Sequence, residues 1–379
     1  MEPDSGPTVD GAGMVDVVVV GGGAMGSAAA WQLARSGKSV VLLEQFEAGH
    51  HIGASHGATR NFNTAYAEAD YLDLLAEAKT LWDELAAETG APLLDLVGLA
   101  NHGNVERLRT IRAAHQERGI ESYFISADEA MDRWQGMNFA TDVLFVPGSG
   151  RIRSANALVA LRKAGESRGA IFKYSTPVHD IRIDGAESVV VVTDETEYTA
   201  NNVVVTAGAW TNKVIGEQAK LPPLVVTQEQ PAHFTPLDNT LVWPSFNHSP
   251  DVDDPAYEYW YSPVYGMLTP GEGVKAGWHG VGPVMDPDER TFQPIPEQLD
   301  ALVRYAQEWL PGVDPSTAVP ISCTYTTTPT EDFVLDRFGP LVVGAGFSGH
   351  GFKFTPAIGR VLKDIVDGGV APQRFLAER

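Results

Sequence analysis

The sequence has a single cysteine, Cys323, among 379 residues. One thiol cannot close an intrachain disulfide or furnish a Cys-based zinc site. The ten histidines show no H-E-x-x-H or comparable spacing, so no metal site is read from them. Positive charge is scarce: 27 Lys and Arg stand against 49 Asp and Glu, a formal net charge of −22. Such a surface repels phosphate backbones and anionic lipid, which argues against nucleic-acid partners and a polybasic membrane anchor. No apolar run approaches the ~20 residues of a membrane span. Residues 1–13 carry Glu2, Asp4 and Asp10 without Lys or Arg, so they lack the regions of a secretion signal. A disordered leader and a cytoplasmic location are expected. Hydrophobic residues make up 44% and charged residues 20%, a globular composition, and the length fits two domains or one elaborate one.

What is present begins with pattern. Residues 14–20 form an apolar run broken only by Asp16, leading into Gly21-Gly22-Gly23-Ala24-Met25-Gly26. Met25, Ala29 and Leu33, four apart, predict a helix closed by Gly37. Residues 39–43 predict a second buried strand, ending at Glu44, so the first 44 residues contain one βαβ unit. Residues 50–63 read as a loop, with His50 and His51 as loop histidines. Leu74, Ala78, Leu81 or Trp82, and Leu85 predict a helix over 71–88 with Asp70 as cap and Gly90 as stop. Residues 155–168 repeat that pattern between Ser154 and Gly169. Strands are expected at 171–174, 178–183, 189–192 and 203–206. Residues 222–330 are richer in aromatics and proline and predict an antiparallel β region with one helix over 297–310, Pro296 in its first turn. The aromatics Tyr257, Tyr259, Trp260 and Tyr261 read as half-buried strand positions. The acidic clusters 251–254 and 286–290 read as solvated loops. After residue 330 α/β character returns: a strand at 341–343, a glycine-rich loop over 344–354 and a helix over 356–366.

Gly21-x-Gly23-x-x-Gly26 between a strand and a helix is a dinucleotide fingerprint. Gly21 allows the tight turn, Gly23 lets backbone approach a pyrophosphate, and Gly26 lets helix and strand pack closely. The helix N-terminus then faces the phosphates. Glu44, 18 residues after Gly26, stands where a carboxylate binds ribose hydroxyls and repels a 2′-phosphate. The fingerprint by itself does not separate NAD from FAD.

Further segments do. Ser55-His56-Gly57-Ala58-Thr59-Arg60, Lys275-Ala276-Gly277-Trp278-His279, Cys323-Thr324-Tyr325-Thr326, Glu331-Asp332-Phe333 and Gly346-Phe347-Ser348-Gly349-His350-Gly351-Phe352-Lys353-Phe354 resemble the monomeric sarcosine oxidase and N-methyltryptophan oxidase family, a branch of the D-amino-acid-oxidase-like flavoproteins. The resemblance runs from Met14 to about Val366.

It implies an α/β fold, with a Rossmann-type FAD-binding domain and a second, antiparallel β-rich substrate domain. The boundaries expected are 14–96, 150–220 and 328–379 for FAD, and 97–149 and 221–327 for substrate. It implies FAD bonded through its 8α methyl to Cys323. FAD is also expected to meet Gly21, Gly23, Gly26, Glu44, Ser55, Thr59, Arg60, Val178, Gly208, Trp210, Gly346, Phe347, Gly349, His350, Gly351 and Lys353. Lys275 matches the basic residue where dioxygen reacts, and His279 and Arg60 complete the expected catalytic set. Lys353 matches the lysine that grips a substrate carboxylate. Tyr265, Tyr325 and His56 are expected around the substrate. Where the family has a second carboxylate-binding arginine, this chain has Asn63, a neutral donor.

Apart from the resemblance, Cys323 reads as a buried small hydrophobe, although set in a polar run, Lys275 as a lysine on an otherwise apolar strand, and His56 and His279 equally as structural histidines. Three functions stay open. The first is an FAD-dependent oxidase of a secondary amino acid, with hydride transfer to flavin N5, imine hydrolysis and hydrogen peroxide release. The second is a dehydrogenase passing electrons to another acceptor, and the third is a non-catalytic dinucleotide-binding protein. The partners expected are a small amine and dioxygen, for a monomer.

Overall fold

The computed structural model describes residues 14–185, 188–250 and 257–378. The leader expected at 1–13 and the acidic cluster 251–254 lie outside the described residues.

The apolar run becomes β1 (Val15–Val20), and the four-residue spacing becomes α1 (Ala24–Arg35). The second strand is β2 (Val40–Leu43), parallel to β1. On its other side β1 takes Glu197–Val205, also parallel. Chain neighbours therefore leave β1 in opposite directions, and the crevice at its carboxyl end is a topological switch point. Ile171–Lys173 extends the sheet beyond β2. Glu197–Val205 divides its pairing: its first half joins Ser188–Thr193 antiparallel, and its last residues join Leu341–Ala345 parallel. The last strand of this sheet to form a parallel pair thus comes from the far end of the chain.

One face of the sheet is covered by α1, by α2 (Ala69–Thr89), and by the helices Ser154–Glu166 and Thr355–Val366. Their apolar stripes bury Trp31, Trp82, Leu33 and Phe354 in one core. Gly359 makes this packing possible, because a Cβ there would lie 2.5 Å from the Ala28 backbone on α1.

A second eight-stranded sheet runs in the order Val313–Pro320, Ala232–Pro236, Gly273–Trp278, Val264–Thr269, Ser245–Ser249, Leu99–Gly103, Val143–Val146, Tyr123–Ile125. It is antiparallel except that Ser245–Ser249 and Leu99–Gly103 run parallel. The helix Pro296–Trp309 closes its core over Phe234, Phe246, Trp278 and Tyr305. No helix among the described residues is long and apolar enough to cross a membrane.

Several local expectations are corrected. The segment read as a loop over 50–63 ends in a strand, β3 (Thr59–Phe62), which pairs with Gly150–Arg153. Its polar sequence, Thr-Arg-Asn-Phe, has no alternation that flags a strand. Asp70 does not cap α2; it lies in the first turn and binds Arg374 at 2.9 Å. Ser154 is the first residue of its helix and donates to the Gly57 carbonyl instead of capping. Tyr257, Tyr259, Trp260 and Tyr261 precede the strand Val264–Thr269, and Trp260 sits among Tyr257, Tyr305 and Trp309. In the 286–290 cluster, Asp286 and Asp288 both bind Lys213, and Arg290 is buried against Ser322. The helix Val105–Glu117, α3, has no counterpart in the expectations.

Candidate active site

A cavity of about 1520 Å³ starts at the glycine loop, crosses the space between the two sheets and ends under α3. Its first end is built by β1 and α1. Gly21 adopts φ +104, and a Cβ would lie 2.5 Å from the Thr206 carbonyl oxygen. Gly26 is not on the wall. A Cβ there would lie 1.8 Å from the Gly21 carbonyl oxygen, so its role is the close approach of α1 to β1. The first turn of α1 holds no acid, leaving its positive end open to the cavity. Glu44, buried at the end of β2, accepts from Gly22 N–H at 2.6 Å and from Phe46 N–H at 2.9 Å. Ser55 Oγ accepts from Ala24 N–H at 2.9 Å. Gly23, Val178, Gly208 and Trp210 line the same end.

Midway stand Cys323, Arg60, His56 and Lys275. Cys323 opens the strand Cys323–Thr327, with its Sγ making only 3.8 Å contacts to the Ala54 and Thr324 carbonyls. Arg60 is held by carbonyl oxygens: Thr59 at 2.9 Å, Ala54 at 2.8 Å, and His56. Thr59 does not line the cavity. It is buried behind the wall, its hydroxyl 2.7 Å from that of Thr269 and its carbonyl accepting from Lys275 Nζ. Lys275 is 4% exposed on a strand whose other positions are buried too. Burial, with the Arg60 charge adding to it, pushes its ammonium down to about 7. His56, bonded to the Ser322 carbonyl at 2.9 Å, is pushed down to about 3 by burial and then by Arg60.

Beyond these lies the loop Gly346–Gly351 with Lys353. A Cβ on Gly349 would lie 2.1 Å from the Tyr325 ring, so only glycine lets the loop close on it. Lys353 Nζ donates to Tyr66 Oη at 2.9 Å and to the His350 carbonyl at 2.6 Å. No carboxylate pairs with it among the described residues, and burial pushes it down to about 7. His350 Nδ1 is 3.1 Å from Tyr66 Oη. Facing Lys353 are His279, Tyr265 and Tyr325, with Tyr325 Oη 3.4 Å from His279 Nδ1. His279 is pushed down to about 4 by burial, then by Lys353 and Arg107. It is a neutral imidazole near pH 7. Asn63 lines the cavity with its Oδ1 taken by Ala65 N–H at 2.7 Å, which leaves its amide N–H groups as donors.

Residues 16–365 match the family model described as FAD dependent oxidoreductase. The chain belongs to that family. A monomeric sarcosine oxidase of Bacillus sp. (strain NS-129) is 32% identical over 370 residues, covering 93% of each chain. The N-methyl-L-tryptophan oxidase of Yersinia pestis (strain Pestoides F) is 30% identical over 365 residues, 91% of this chain and 93% of that protein. Among solved structures, the open form of NikD, "an unusual amino acid oxidase essential for nikkomycin biosynthesis", matches with a TM-score of 0.85 at 26% identity, over 97% of this chain and 98% of that one. Within the FAD dependent oxidoreductases, the chain therefore sits in the sarcosine oxidase and N-methyltryptophan oxidase branch. The first end of the cavity fits FAD. It has a glycine turn packed so closely that a Cβ on Gly21 or Gly22 would run into Thr206 or Glu44, a helix N-terminus that fits a pyrophosphate and a buried acid that fits a ribose.

The cavity also contains residues that sequence reasoning passed over. Tyr66, in the segment before α2, lies between Lys353 and His350. Asn61, Asn247 and Asn101 form an amide chain along one wall, 3.4 and 2.8 Å apart. Arg107, from α3, lines the far end. Nothing local in the sequence marks these residues, because three strands and a helix bring them together.

Proposed function

We propose that this chain is an FAD-dependent oxidase of a secondary amino acid, an N-methyl amino acid or related amine. The observation that carries this reading is a concentration of unpaired cations. Lys275, Lys353, Arg60 and Arg107 all line one cavity, and none forms an ion pair among the described residues, in a chain of net charge −22. Glu44, Glu68, Glu272, Asp288, Glu331 and Asp332 line the same cavity, so the preference for an anion is local to the unpaired cations, and a carboxylate meets Lys353 and the free Asn63 amide. The sarcosine and N-methyltryptophan oxidases support the amino-acid assignment.

FAD, when bound, accepts a hydride equivalent from the carbon beside the substrate nitrogen and hands the electrons to dioxygen, giving hydrogen peroxide. The protein's own residues prepare this. Tyr66 and the His350 carbonyl fix the Lys353 ammonium. Neutral His279 and the aromatic walls of Tyr265 and Tyr325 lower the pKa of a bound amine by removing water, so its nitrogen lone pair is free. His56 and Arg60 frame the ring site. Lys275, protonated below about pH 7, then holds a positive charge in a dry setting, where it stabilises negative charge arising on dioxygen. Cys323, free and half-buried on the cavity wall, is the point of covalent FAD attachment. We assign residues 14–96, 150–220 and 328–379 to FAD binding and 97–149 and 221–327 to substrate binding. The protein is read as a cytoplasmic monomer.

Peroxide release in air over a panel of N-methyl and cyclic secondary amino acids tests the reading. Bleaching of the flavin without peroxide would replace the oxidase with a dehydrogenase. No bleaching by any amine would overturn the reading.

A further inference from the structure

The cavity continues past the residues needed for a small amino acid. Under α3 it is lined by Arg107, Leu108, Thr110 and Ile111. Leu108 and Ile111 are buried and form an apolar floor. Helix α3 is pinned at both ends. Asn104 caps it, accepting from Arg107 N–H at 3.1 Å, and Asn104 N–H donates to the Ser249 carbonyl at 3.0 Å. Near its other end, His115 Nε2 lies 3.0 Å from the Thr64 carbonyl, beside Asn63. The arginine is thus carried on a rigid element fixed to the segment that bears Asn63 and Tyr66.

The arginines of α3 differ in what they face. Arg109 is taken by Glu106 at 2.9 Å. Arg112 faces His115 and adds to the lowering of its pKa, which burial chiefly causes. The Arg107 guanidinium forms no ion pair or hydrogen bond among the described residues. Its charge is felt inside the cavity: after burial and Lys353 it adds to the lowering of the His279 pKa, and it partly offsets the rise that burial and then Glu68 cause at Tyr66. His279 and Tyr66 both border the space in front of Lys353. Arg107 is solvent-exposed where it meets the cavity, beside the buried Leu108 and Ile111, and Glu68 lines the cavity too; an unpaired guanidinium at that edge, on the same cavity as the unpaired Lys353, fits a ligand with two anionic ends and an aliphatic stem between them.

We propose that Arg107 forms a second anion subsite, which receives a side-chain carboxylate of the substrate while Lys353 holds the first. The substrate class is a secondary amino acid bearing a second carboxylate on a short aliphatic stem. This rests on the proposed amine oxidation for its biological sense, but not for its test.

The test is calorimetric titration of the holoenzyme with glutarate and with its monoamide, 4-carbamoylbutyrate, which differ only in one charged end. The readout is the ratio of their dissociation constants. Glutarate should bind about ten- to a hundredfold more tightly, the range of one charge-assisted contact. Arg107→Gln should bring the ratio close to one, and Arg107→Lys should restore part of it. Equal affinities in the wild-type protein would overturn the subsite. So would an equal loss for both ligands in Arg107→Gln, which would place Arg107 in the same carboxylate grip as Lys353. If no amine is oxidised but the ratio behaves as stated, the subsite stands and the oxidase reading fails. If amines are oxidised and the ratio is one, the reverse holds.

Discussion

Lys275 Nζ donates to the Thr59 carbonyl oxygen at 2.8 Å, across 216 positions of sequence. The bond ties the second sheet to β3 and holds the lysine at the cavity wall. Two neutral acceptors, the carbonyl and the Thr59 hydroxyl at 3.3 Å, orient the ammonium without cancelling its charge.

That charge leads to the first prediction. Lys275→Met should leave anaerobic bleaching by substrate largely intact and slow the return of colour in air by orders of magnitude. The wild-type return should also slow as pH rises through about 7, where Lys275 loses its proton. Stopped-flow measurement of both half-reactions over pH 6–9 checks this, and equal loss in both sinks the role.

The second concerns stability. Lys353 is 5% exposed, and burial lowers it to about 7 from the ordinary lysine value of about 10.4. The folded protein therefore resists a proton that the unfolded chain holds. This cost is full below about pH 7 and shrinks as pH rises toward the ordinary lysine range. Lys353→Met should raise the Tm of the flavin-free protein more at pH 7 than at pH 9. A gain independent of pH would contradict the burial account.

The third concerns Cys323. Acid-precipitated wild-type protein should stay yellow and carry the mass of one FAD. Cys323→Ser should release its flavin on denaturation. Complete loss of flavin from denatured wild-type protein rules out the thioether.

The fourth concerns the glycine loop. In Gly26→Ala the new methyl would meet the Gly21 carbonyl at 1.8 Å, which forces α1 away from β1. Overpacking of this kind costs about 1–3 kcal/mol. Tm and flavin content should fall together, and a normal flavin content would show that α1 adapts.

The fifth concerns the carboxylate grip. Lys353→Met should weaken a carboxylate inhibitor by roughly ten- to a hundredfold, the value of a charge-assisted hydrogen bond of about 1.5–3 kcal/mol. Asn63→Arg should tighten sarcosine while losing the Ala65 N–H bond, at about 1 kcal/mol of stability. An unchanged inhibitor constant in Lys353→Met would remove the lysine from the site.

Sequence alone determined the βαβ unit, its glycine fingerprint and Glu44. It did so because a buried strand, a helix and a tight turn each leave a short-range pattern of apolar spacing and glycine. The family resemblance extended this reading to Cys323, Lys275, Lys353 and the glycine-rich loop before it, which the structure gathers on one cavity. Tertiary structure decided what depends on distant partners. β3 is a strand because Gly150–Arg153 pairs with it, not because of its own alternation. Thr59 is a backbone anchor behind the wall and not a wall residue. Tyr66 is placed by Lys353 and His350, and Arg107 by a helix fastened at Ser249 and Thr64. A side chain's partner and the water it loses are set by the packing of elements far apart in the chain, and no local pattern records them.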